Sequence, residues 1–387
     1  MRRGWRWLCV VAALGALGPV RSASAEPIVI RAGRLLDPVS GVILANQLIV
    51  IENGRFTAIG APSSITIPPG AEVIDLPGLT VMPGLIDAHV HLGIGGSVRD
   101  NALADLRAGF TTVVDLGART IRILQLRDSI NAGLIPGPRV YAAGIWVGTK
   151  GGVCEFNGIG ISGGPEAFVA RVRENITAGA DVIKVCVSSW PADAYRDPNT
   201  YEITDAALRA VVAQAHGSHR LVVAHDISAG GVDAALRASV DILAHAAYVD
   251  EALARRLRDR GISIIPTLAS LTSGDSSAGA RALVAATTRA YRSGVRLVFG
   301  TDGGVLPHGR NALEFSALRD AGVSAIDAIR SATINAARAF QLGDSVGTIA
   351  RGMVADLIAV DGNPIDDIGA MTRVKFVMSR GRVVRRD

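Results

Sequence analysis

Eight short apolar runs recur between residues 81 and 301, and they constrain the fold more than any other feature of the chain. A helical pattern or a long loop follows each run, as at 204–215, where Thr204 is the expected N-cap, and at 250–260. Strands that are apolar throughout are typical of a parallel sheet covered on both faces. Eight such units in roughly 260 residues predict a (β/α)8 TIM barrel. The predicted strands are 81–88, 110–115, 139–144, 181–187, 221–225, 240–245, 262–267 and 296–301.

A doubly wound α/β sheet is the alternative architecture for alternating strands and helices. Such a sheet would need a glycine-rich phosphate-binding turn after its first strand. The first strand of this chain instead continues into Asp87-Ala88-His89-Val90-His91. We therefore favour the barrel.

Both ends of the chain differ in pattern from its middle. Residues 27–80 contain short strand patterns joined by turns, and Asn53-Gly54 between two apolar strands is a strong hairpin signal. Residues 356–384 show the same pattern. We expect a small β-sandwich domain built from both chain ends, 26–80 and 344–387, beside a barrel domain at 81–343.

The composition excludes two classes of protein. Apolar residues form 49% of the chain, too many for intrinsic disorder. The net charge is +5, but four of the 40 basic residues lie in the first 25 positions. The remaining 36 basic residues nearly balance the 35 acidic ones, which removes the main argument for a nucleic-acid partner. We expect a small-molecule substrate and leave a homo-oligomer open.

The first 25 residues have the pattern of an export signal. A basic start at 1–6 precedes an apolar run at 7–17, and small residues at 22–25 form a cleavage pattern. The apolar run is too short to cross a bilayer, although an uncleaved anchor is the alternative. We expect an exported protein, periplasmic or extracellular, without a membrane span after cleavage.

Two cysteines, Cys154 and Cys186, follow this segment. An exported protein can join them in a disulfide. Cys186 lies in an apolar run, however, and a small buried hydrophobe is the commoner state of such a cysteine. We therefore expect two free thiols.

Four of the seven histidines lie at the ends of predicted barrel strands. His89 and His91 are two residues apart, so on a strand both point to the same face. His225 and His245 each end a later strand, and Asp302 follows the eighth. Barrel active sites are built at this rim, and imidazoles with a carboxylate suit Zn²⁺ or a similar ion. One such histidine alone would be a core residue, but the five together predict a metal centre.

Lys184 is one of three lysines, against 37 arginines, and it lies within a predicted buried strand. Burying an ammonium group is costly unless it is paired or neutral. Desolvation lowers its pKa, and the neutral amine is a nucleophile. Uptake of CO₂ would make a carbamate that can bridge two cations. The alternative is an ion pair with Asp181 or Asp302.

With these residues the chain resembles the amidohydrolase superfamily, in its binuclear-metal branch with a carbamylated lysine. It is most similar to the dipeptidase-like and imidazolonepropionase-related group. Beyond the candidate ligands, the resemblance rests on the stretches 82–87, 300–302, 332–340 and 347–357.

The resemblance implies a ligand set and a reaction. It places one divalent ion, expected to be Zn²⁺, on His89, His91 and Asp302 and a second on His225 and His245. A carbamate on Lys184 and a hydroxide would lie between the two ions. Asp302 would also be catalytic, accepting the proton of the attacking water and passing it to the leaving amine.

The implied reaction is hydrolysis of an amide or peptide C–N bond in a dipeptide or N-acyl amino acid. A lactone, cyclic amide or phosphotriester on the same metal centre is the alternative, and a non-catalytic binding protein is disfavoured because no ligand is lost. Loops at 145–165, 188–203, 268–280 and 303–312 would form the substrate pocket. The candidate contacts there are Trp146, Trp190, Tyr195, Tyr201 and either Arg310 or Lys150, whereas His308 would contact substrate or order its own loop.

The export signal leads to a first prediction, that the mature chain begins at or near Glu26. Intact-mass measurement on protein recovered from the exporting cell's periplasm or medium tests it. A mass that includes residues 1–25 would contradict cleavage.

Overall fold

A computed structural model describes residues 26–188, 197–272 and 277–387. The predicted export signal and the candidate contacts Trp190 and Tyr195 lie outside these residues. Within the described parts of the chain, no helix combines the length and apolar character needed to cross a membrane.

Strands and helices alternate through the middle of the chain, and strands dominate both ends. The strands are β1 Ile28–Asp37, β2 Val42–Glu52, β3 Arg55–Gly60, β4 Glu72–Pro83, β5 Leu85–Val90, β6 Phe110–Asp115, β7 Arg139–Ala142, β8 Val182–Cys186, β9 Leu221–Asp226, β10 Ile242–His245, β11 Ser263–Ile265, β12 Leu357–Asp361, β13 Val374–Ser379 and β14 Arg382–Arg386. The helices are α1 Val98–Arg107, α2 Arg122–Asn131, α3 Pro165–Thr177, α4 Asp205–His216, α5 Ala229–Ala238, α6 Glu251–Arg260, α7 Leu268–Thr272, α8 Ala278–Arg292, α9 Leu313–Asp320, α10 Ala325–Arg330 and α11 Ala336–Ala339. A π-helical turn at Ser331–Asn335 and a 3₁₀ turn at Ile368–Thr372 complete the set.

Seven of the eight predicted barrel strands form parallel ladders. β5, β6 and β7 pair in one sheet, and β8 to β11 pair in another. Backbone hydrogen bonds join the two sheets, because the Val147 N–H donates to the Lys184 carbonyl at 3.1 Å and the Cys186 N–H donates to the Val147 carbonyl at 2.8 Å. The third and fourth strands are therefore neighbours, as a barrel requires.

The eighth predicted strand, 296–301, forms only an isolated bridge to β11. Its backbone nevertheless closes the ring, because the Val298 N–H donates to the Ile264 carbonyl at 2.8 Å and the Ala88 N–H donates to the Phe299 carbonyl at 2.9 Å. This segment thus lies between β11 and β5. The predicted (β/α)8 barrel is confirmed, with one irregular member.

The first predicted strand, 81–88, is divided between two sheets. β4 ends at Pro83 and pairs with β12, whereas β5 begins at Leu85 and pairs with β6. Gly84 stands between them, and a Cβ there would lie 2.2 Å from Thr111 Oγ1. Only glycine lets the backbone pass this close to Thr111. The apolar run 81–88 is continuous in the sequence, but the chain changes from one sheet to the other at Gly84.

Strands from both chain ends form one seven-stranded sheet in the order β14-β13-β12-β4-β1-β2-β3. β4, whose last three residues the sequence analysis assigned to the first barrel strand, joins the two halves. Side chains such as Ile30, Phe56, Leu357 and Phe376 pack into a single core. The sheet folds over this core, because the Phe56 N–H in the edge strand β3 donates to the Met353 carbonyl, just before β12, at 3.0 Å. This closure is as expected of the small β-sandwich. The domain boundaries at 80/81 and 343/344 stay a prediction.

Two local predictions are confirmed. The turn at Asn53-Gly54, with φ of 51° and 73°, joins β2 to β3. The N-cap of α4 is Thr204, whose hydroxyl accepts a hydrogen bond from the Ala207 N–H at 3.2 Å. Both signals depend only on neighbouring residues, which is why they are legible in the sequence.

Cys154 and Cys186 form a disulfide with Cα atoms 6.3 Å apart, so the expectation of two free thiols was wrong. Cys186 is buried in β8 as predicted. The loop before Cys154 folds back onto that strand, and a Cβ at Gly148 would lie only 2.9 Å from the Cβ of Cys154. This contact is tertiary, and an apolar strand pattern carries no sign of it.

Replacing both cysteines by alanine is expected to destabilise the protein by about 2–4 kcal/mol, because the disulfide closes a long loop in the unfolded chain. Urea unfolding of the oxidised wild type and the double variant measures the difference. Wild type whose disulfide has been reduced should unfold like the double variant. Equal stability of all three forms would contradict a structural disulfide.

Candidate metal centre

The end of β5 and the residues after it carry His89 and His91 into the barrel mouth, where both are buried. Their rings lie 5.2 Å apart, nearly perpendicular. Asp302 reaches them from the eighth segment, with Oδ1 3.4 Å from His89 Nε2 and 3.2 Å from His91 Nε2. The structure thus brings together the three residues predicted to share one ion.

The other predicted ligands adjoin this group. The His245 ring lies 5.3 Å from the His89 ring and 4.6 Å from the His225 ring. Lys184 Nζ lies 3.4 Å from His89 Nε2. His89, His245 and Asp302 each offer a ligand atom within 4.8 Å of one another. The six predicted ligands therefore adjoin one another at the mouth of the barrel, and all of them except the half-buried His225 are buried.

Hydrogen bonds behind two of the rings decide which nitrogen faces the cluster. His91 Nδ1 donates to the Gly117 carbonyl at 2.9 Å. The Thr267 hydroxyl donates to the Pro266 carbonyl, so it accepts from His245 Nδ1 at 2.6 Å. In the neutral form of each ring, these contacts leave Nε2 as the nitrogen without a hydrogen and direct it to the cluster, which is the arrangement found around metal-ligating histidines. The donor set fits a divalent metal ion.

Burial determines the charge of the cluster. It lowers the pKa of His89, which Lys184 depresses further, and it lowers the pKa of His245 to about 3. Burial also raises the pKa of Asp302, but His89 and His91 outweigh it and hold that pKa well below its usual range. Lys184 loses its charge readily, since burial lowers its pKa to about 7 against the attraction of Asp302. Neutral imidazoles beside an ionised carboxylate are the metal-binding forms.

Neither carboxylate considered as a partner for Lys184 pairs with it. Asp181 forms an ion pair with Arg127 and accepts a hydrogen bond from the Ala142 N–H at 2.9 Å. Asp302 Oδ1 instead lies beside the Nε2 atoms of His89 and His91. Among the described residues, no carboxylate lies within ion-pair distance of the Lys184 amine.

The backbone is strained where it presents the cluster. His245, Thr267 and Asp302 have φ of 73°, 54° and 55°, in the left-handed region that costs a non-glycine residue roughly 1–2 kcal/mol. Such strain persists where the surrounding structure over-determines it, typically at functional sites. The three positions follow successive barrel strands, so the strain coincides with the candidate centre.

The sequence analysis did not single out Asp87, although it supports the site. Its buried carboxylate accepts hydrogen bonds from the N–H groups of His89 and Thr301, both at 3.1 Å. It also accepts from the Thr301 hydroxyl at 2.6 Å and the Asn311 amide at 2.8 Å. Burial raises its pKa to about 7. Asp87 therefore ties β5 to the eighth segment, and its position within an apolar run is the signal that could have identified it.

Two of the candidate substrate contacts lie near the cluster. Trp146 is buried, with its ring 5.3 Å from the His91 ring. His308 engages the protein with both ring nitrogens, since Nδ1 lies 2.8 Å from Asp105 Oδ2 and Nε2 lies 3.3 Å from the His91 carbonyl. This arrangement corresponds to the loop-ordering role that was the alternative for His308.

Among the described residues, no hydrogen bond or ion pair links the other candidate contacts to the cluster. The Tyr201 hydroxyl donates to Asp205 at 2.8 Å, at the start of α4. Arg310 and Lys150 are exposed on their loops. Their part in substrate binding stays a prediction.

Comparison with known proteins agrees with this geometry. The family model described as "Amidohydrolase family" matches residues 80–384. Ochratoxinase from Aspergillus niger is 28% identical over 417 aligned residues, covering 91% of this chain and 85% of that protein. The chain also matches an adenine deaminase from Mesorhizobium japonicum at 29% identity, spanning 92% of this chain but only 56% of the deaminase.

Solved structures show the same similarity. A Xaa-Pro dipeptidase with bound methionine in its active site superposes with a TM-score of 0.86 at 30% identity, over 92% of this chain and 99% of that one. A putative prolidase from Bifidobacterium longum superposes with a TM-score of 0.83 at 28% identity, over 92% and 94% of the two chains.

The hydrogen bond behind His245 gives a prediction for metal binding. Thr267→Val keeps the side-chain shape but removes the acceptor of His245 Nδ1, and it should weaken Zn²⁺ binding by about 10–100-fold. Competition with a chromogenic chelator measures the affinity. Thr287→Val, which removes a buried hydroxyl of α8 bonded to the Leu283 carbonyl, is the matched control. Equal affinity in both variants would show that Thr267 does not orient a ligand.

Proposed function

This chain belongs to the amidohydrolase family, and from that premise we propose that it hydrolyses the amide or peptide C–N bond of a dipeptide or N-acyl amino acid. The family and its relatives identify it as a hydrolase acting on carbon–nitrogen bonds. The observation that carries the narrower proposal is the buried donor cluster at the barrel mouth. Divalent ions held by these residues would activate water for attack on an amide bond, which is otherwise slow to hydrolyse.

The proposed ligand assignment follows the geometry of the cluster. His89, His91 and Asp302 would hold one divalent ion, and His225 and His245 would hold a second. Zn²⁺ is our choice because neutral imidazole and carboxylate are its common ligands. When bound, such ions lower the pKa of water and polarise a carbonyl group.

Lys184 would join the ligand set as a carbamate. In this modification the neutral Nζ attacks the carbon of CO₂, so that an N–C bond forms while one C=O π bond breaks and its electron pair moves to that oxygen. Nζ then releases one proton to water. Burial supports the proposal, because it disfavours the ammonium form that cannot react. The lack of a carboxylate partner among the described residues supports it as well.

Asp302 would move the proton of the reaction. Its carboxylate stays ionised beside His89 and His91, so it can accept a proton from the attacking water. It would return that proton to the leaving nitrogen as the C–N bond breaks. Trp146, which packs against His91, would cover one side of the reacting group and exclude water there.

We also propose that the protein acts outside the cytoplasm. The pattern of residues 1–25 predicts export. The disulfide between Cys154 and Cys186 supports the same compartment, because disulfides persist in oxidising surroundings.

A substrate screen tests the reaction class. Zn²⁺-loaded protein should show its highest kcat/KM on dipeptides or N-acyl amino acids, among a panel that also holds lactones, a cyclic amide and a phosphotriester. The Asp302→Asn variant controls for contaminating hydrolases, because it should lose the activity. Turnover of only the lactones or the phosphotriester would contradict the proposal.

The carbamate predicts a specific pattern of loss and rescue. Lys184→Ala should lose bound metal and lower kcat/KM by about 100-fold or more, and bicarbonate with propionate should restore part of both, since a free carboxylate can occupy the carbamate position. Lys184→Arg should not recover, because a guanidinium stays protonated. Lys375→Ala, in β13 of the small sheet, is the control. Full activity with two metals in Lys184→Ala would overturn the assignment.

A further inference from the structure

A cavity of about 140 Å³ lies beside the candidate metal centre. Its walls belong to the loop after β5, the loop after β6 and helix α2. Because both loops follow the C-terminal ends of barrel strands, the cavity is on the same face of the barrel as the ligand cluster. The residues that matter here are the apolar Ile94, Ile123, Leu126 and Trp146 and the cationic Arg119 and Arg122.

Trp146 is shared between the cavity and the metal centre. Its ring lies 5.3 Å from the His91 ring. It also packs on Gly117, where a Cβ would lie only 2.4 Å from Trp146 Nε1, and the Gly117 carbonyl accepts the hydrogen bond from His91 Nδ1. Trp146 therefore borders both the cavity and a candidate ligand.

The walls select an apolar group of limited size. Ile94, Ile123, Leu126 and Trp146 supply aliphatic and aromatic surface, and Ile123 and Trp146 are buried. An apolar cavity of about 150 Å³ holds one benzene-sized molecule. The cavity therefore suits a phenyl ring or a branched aliphatic side chain.

The guanidinium-bearing residues Arg119 and Arg122 also line this cavity. Arg119 lies 5.7 Å above the centre of the Phe156 ring, a cation–π contact that holds it in place. Within the described residues, neither Arg119 nor Arg122 forms an ion pair, whereas Arg237, which is also exposed, pairs with Asp205 and Asp233. An unpaired guanidinium is suited to bind a carboxylate through two hydrogen bonds.

We propose that this cavity is a substrate subsite, which we call the Arg119 subsite, for an amino-acid residue with an apolar side chain and a free carboxylate. The side chain would fill the cavity, and Arg119 and Arg122 would bind the carboxylate. The substrate class is then an N-acyl derivative, or a dipeptide, of a phenylalanine- or leucine-like residue. This inference rests on the proposed amide hydrolysis.

Three related substrates separate the two parts of the subsite. N-acetylphenylalanine carries both groups, N-acetyl-2-phenylethylamine lacks the carboxylate, and N-acetylglycine lacks the side chain. Wild type should have a kcat/KM on the first that exceeds each of the others by about ten-fold or more. Equal kcat/KM on all three would overturn the proposal.

Variants assign the effect to named residues. The double variant Arg119→Gln/Arg122→Gln should lose about ten-fold in kcat/KM on N-acetylphenylalanine, chiefly through KM, and nothing on N-acetyl-2-phenylethylamine. Leu126→Trp should fill the cavity and lower activity on N-acetylphenylalanine but not on N-acetylglycine. Arg292→Gln, at the exposed end of α8, should match wild type on all three. An equal loss with and without the carboxylate would overturn the subsite.

Direct binding distinguishes failure of the subsite from failure of the proposed function. If wild type cleaves none of the three amides, the proposed reaction fails. Calorimetry with N-acetylphenylalanine then still decides the subsite. Binding that is about five-fold or more weaker in the double arginine variant than in wild type supports it. No binding to wild type, or equal binding to both proteins, overturns it.

Discussion

The hydrogen bonds accepted by Asp87 are the interaction on which the rest of the structure depends. They join the first barrel strand to the irregular eighth segment, where ladder pairing alone is sparse. A buried carboxylate without a cationic partner is costly, and several donors are needed to offset its desolvation. Because those donors include the N–H groups of His89 and of Thr301, which precedes Asp302, the same carboxylate holds the barrel closed and holds two sides of the candidate metal centre together.

The cluster in turn depends on how the barrel orients neutral donors. The contacts of His91 with Gly117 and of His245 with Thr267 set the tautomers before any ion arrives. Burial lowers the pKa of His89 and of His245, which lets these imidazoles lie close together without charge repulsion. The left-handed backbone at His245 shows that the fold accepts local strain to place a ligand. Stability and site geometry are therefore coupled at the strand ends.

The substrate side of the site is built by a segment held to the barrel at two points. The backbone of Val147 pairs with the strand that carries Lys184, and Cys154 is bonded to Cys186 two residues beyond that lysine. Trp146 lies at the start of this segment and borders both the ligand cluster and the Arg119 subsite. This segment therefore forms part of the proposed subsite, whereas the candidate ligands lie at the ends of the barrel strands.

The sequence by itself determined the barrel, the meeting of the two chain ends and the set of candidate ligand residues, because strand periodicity and residues at strand ends are local patterns. It could not show that Gly84 divides an apolar run between two sheets, that the eighth strand is irregular, or that Cys154 reaches Cys186. Nor could it show that Asp87 supports the site or that Arg119 faces an apolar cavity. Tertiary structure alone decided these points, because each depends on the close approach of segments that are distant in the chain. Such contacts produce no periodic pattern in the sequence.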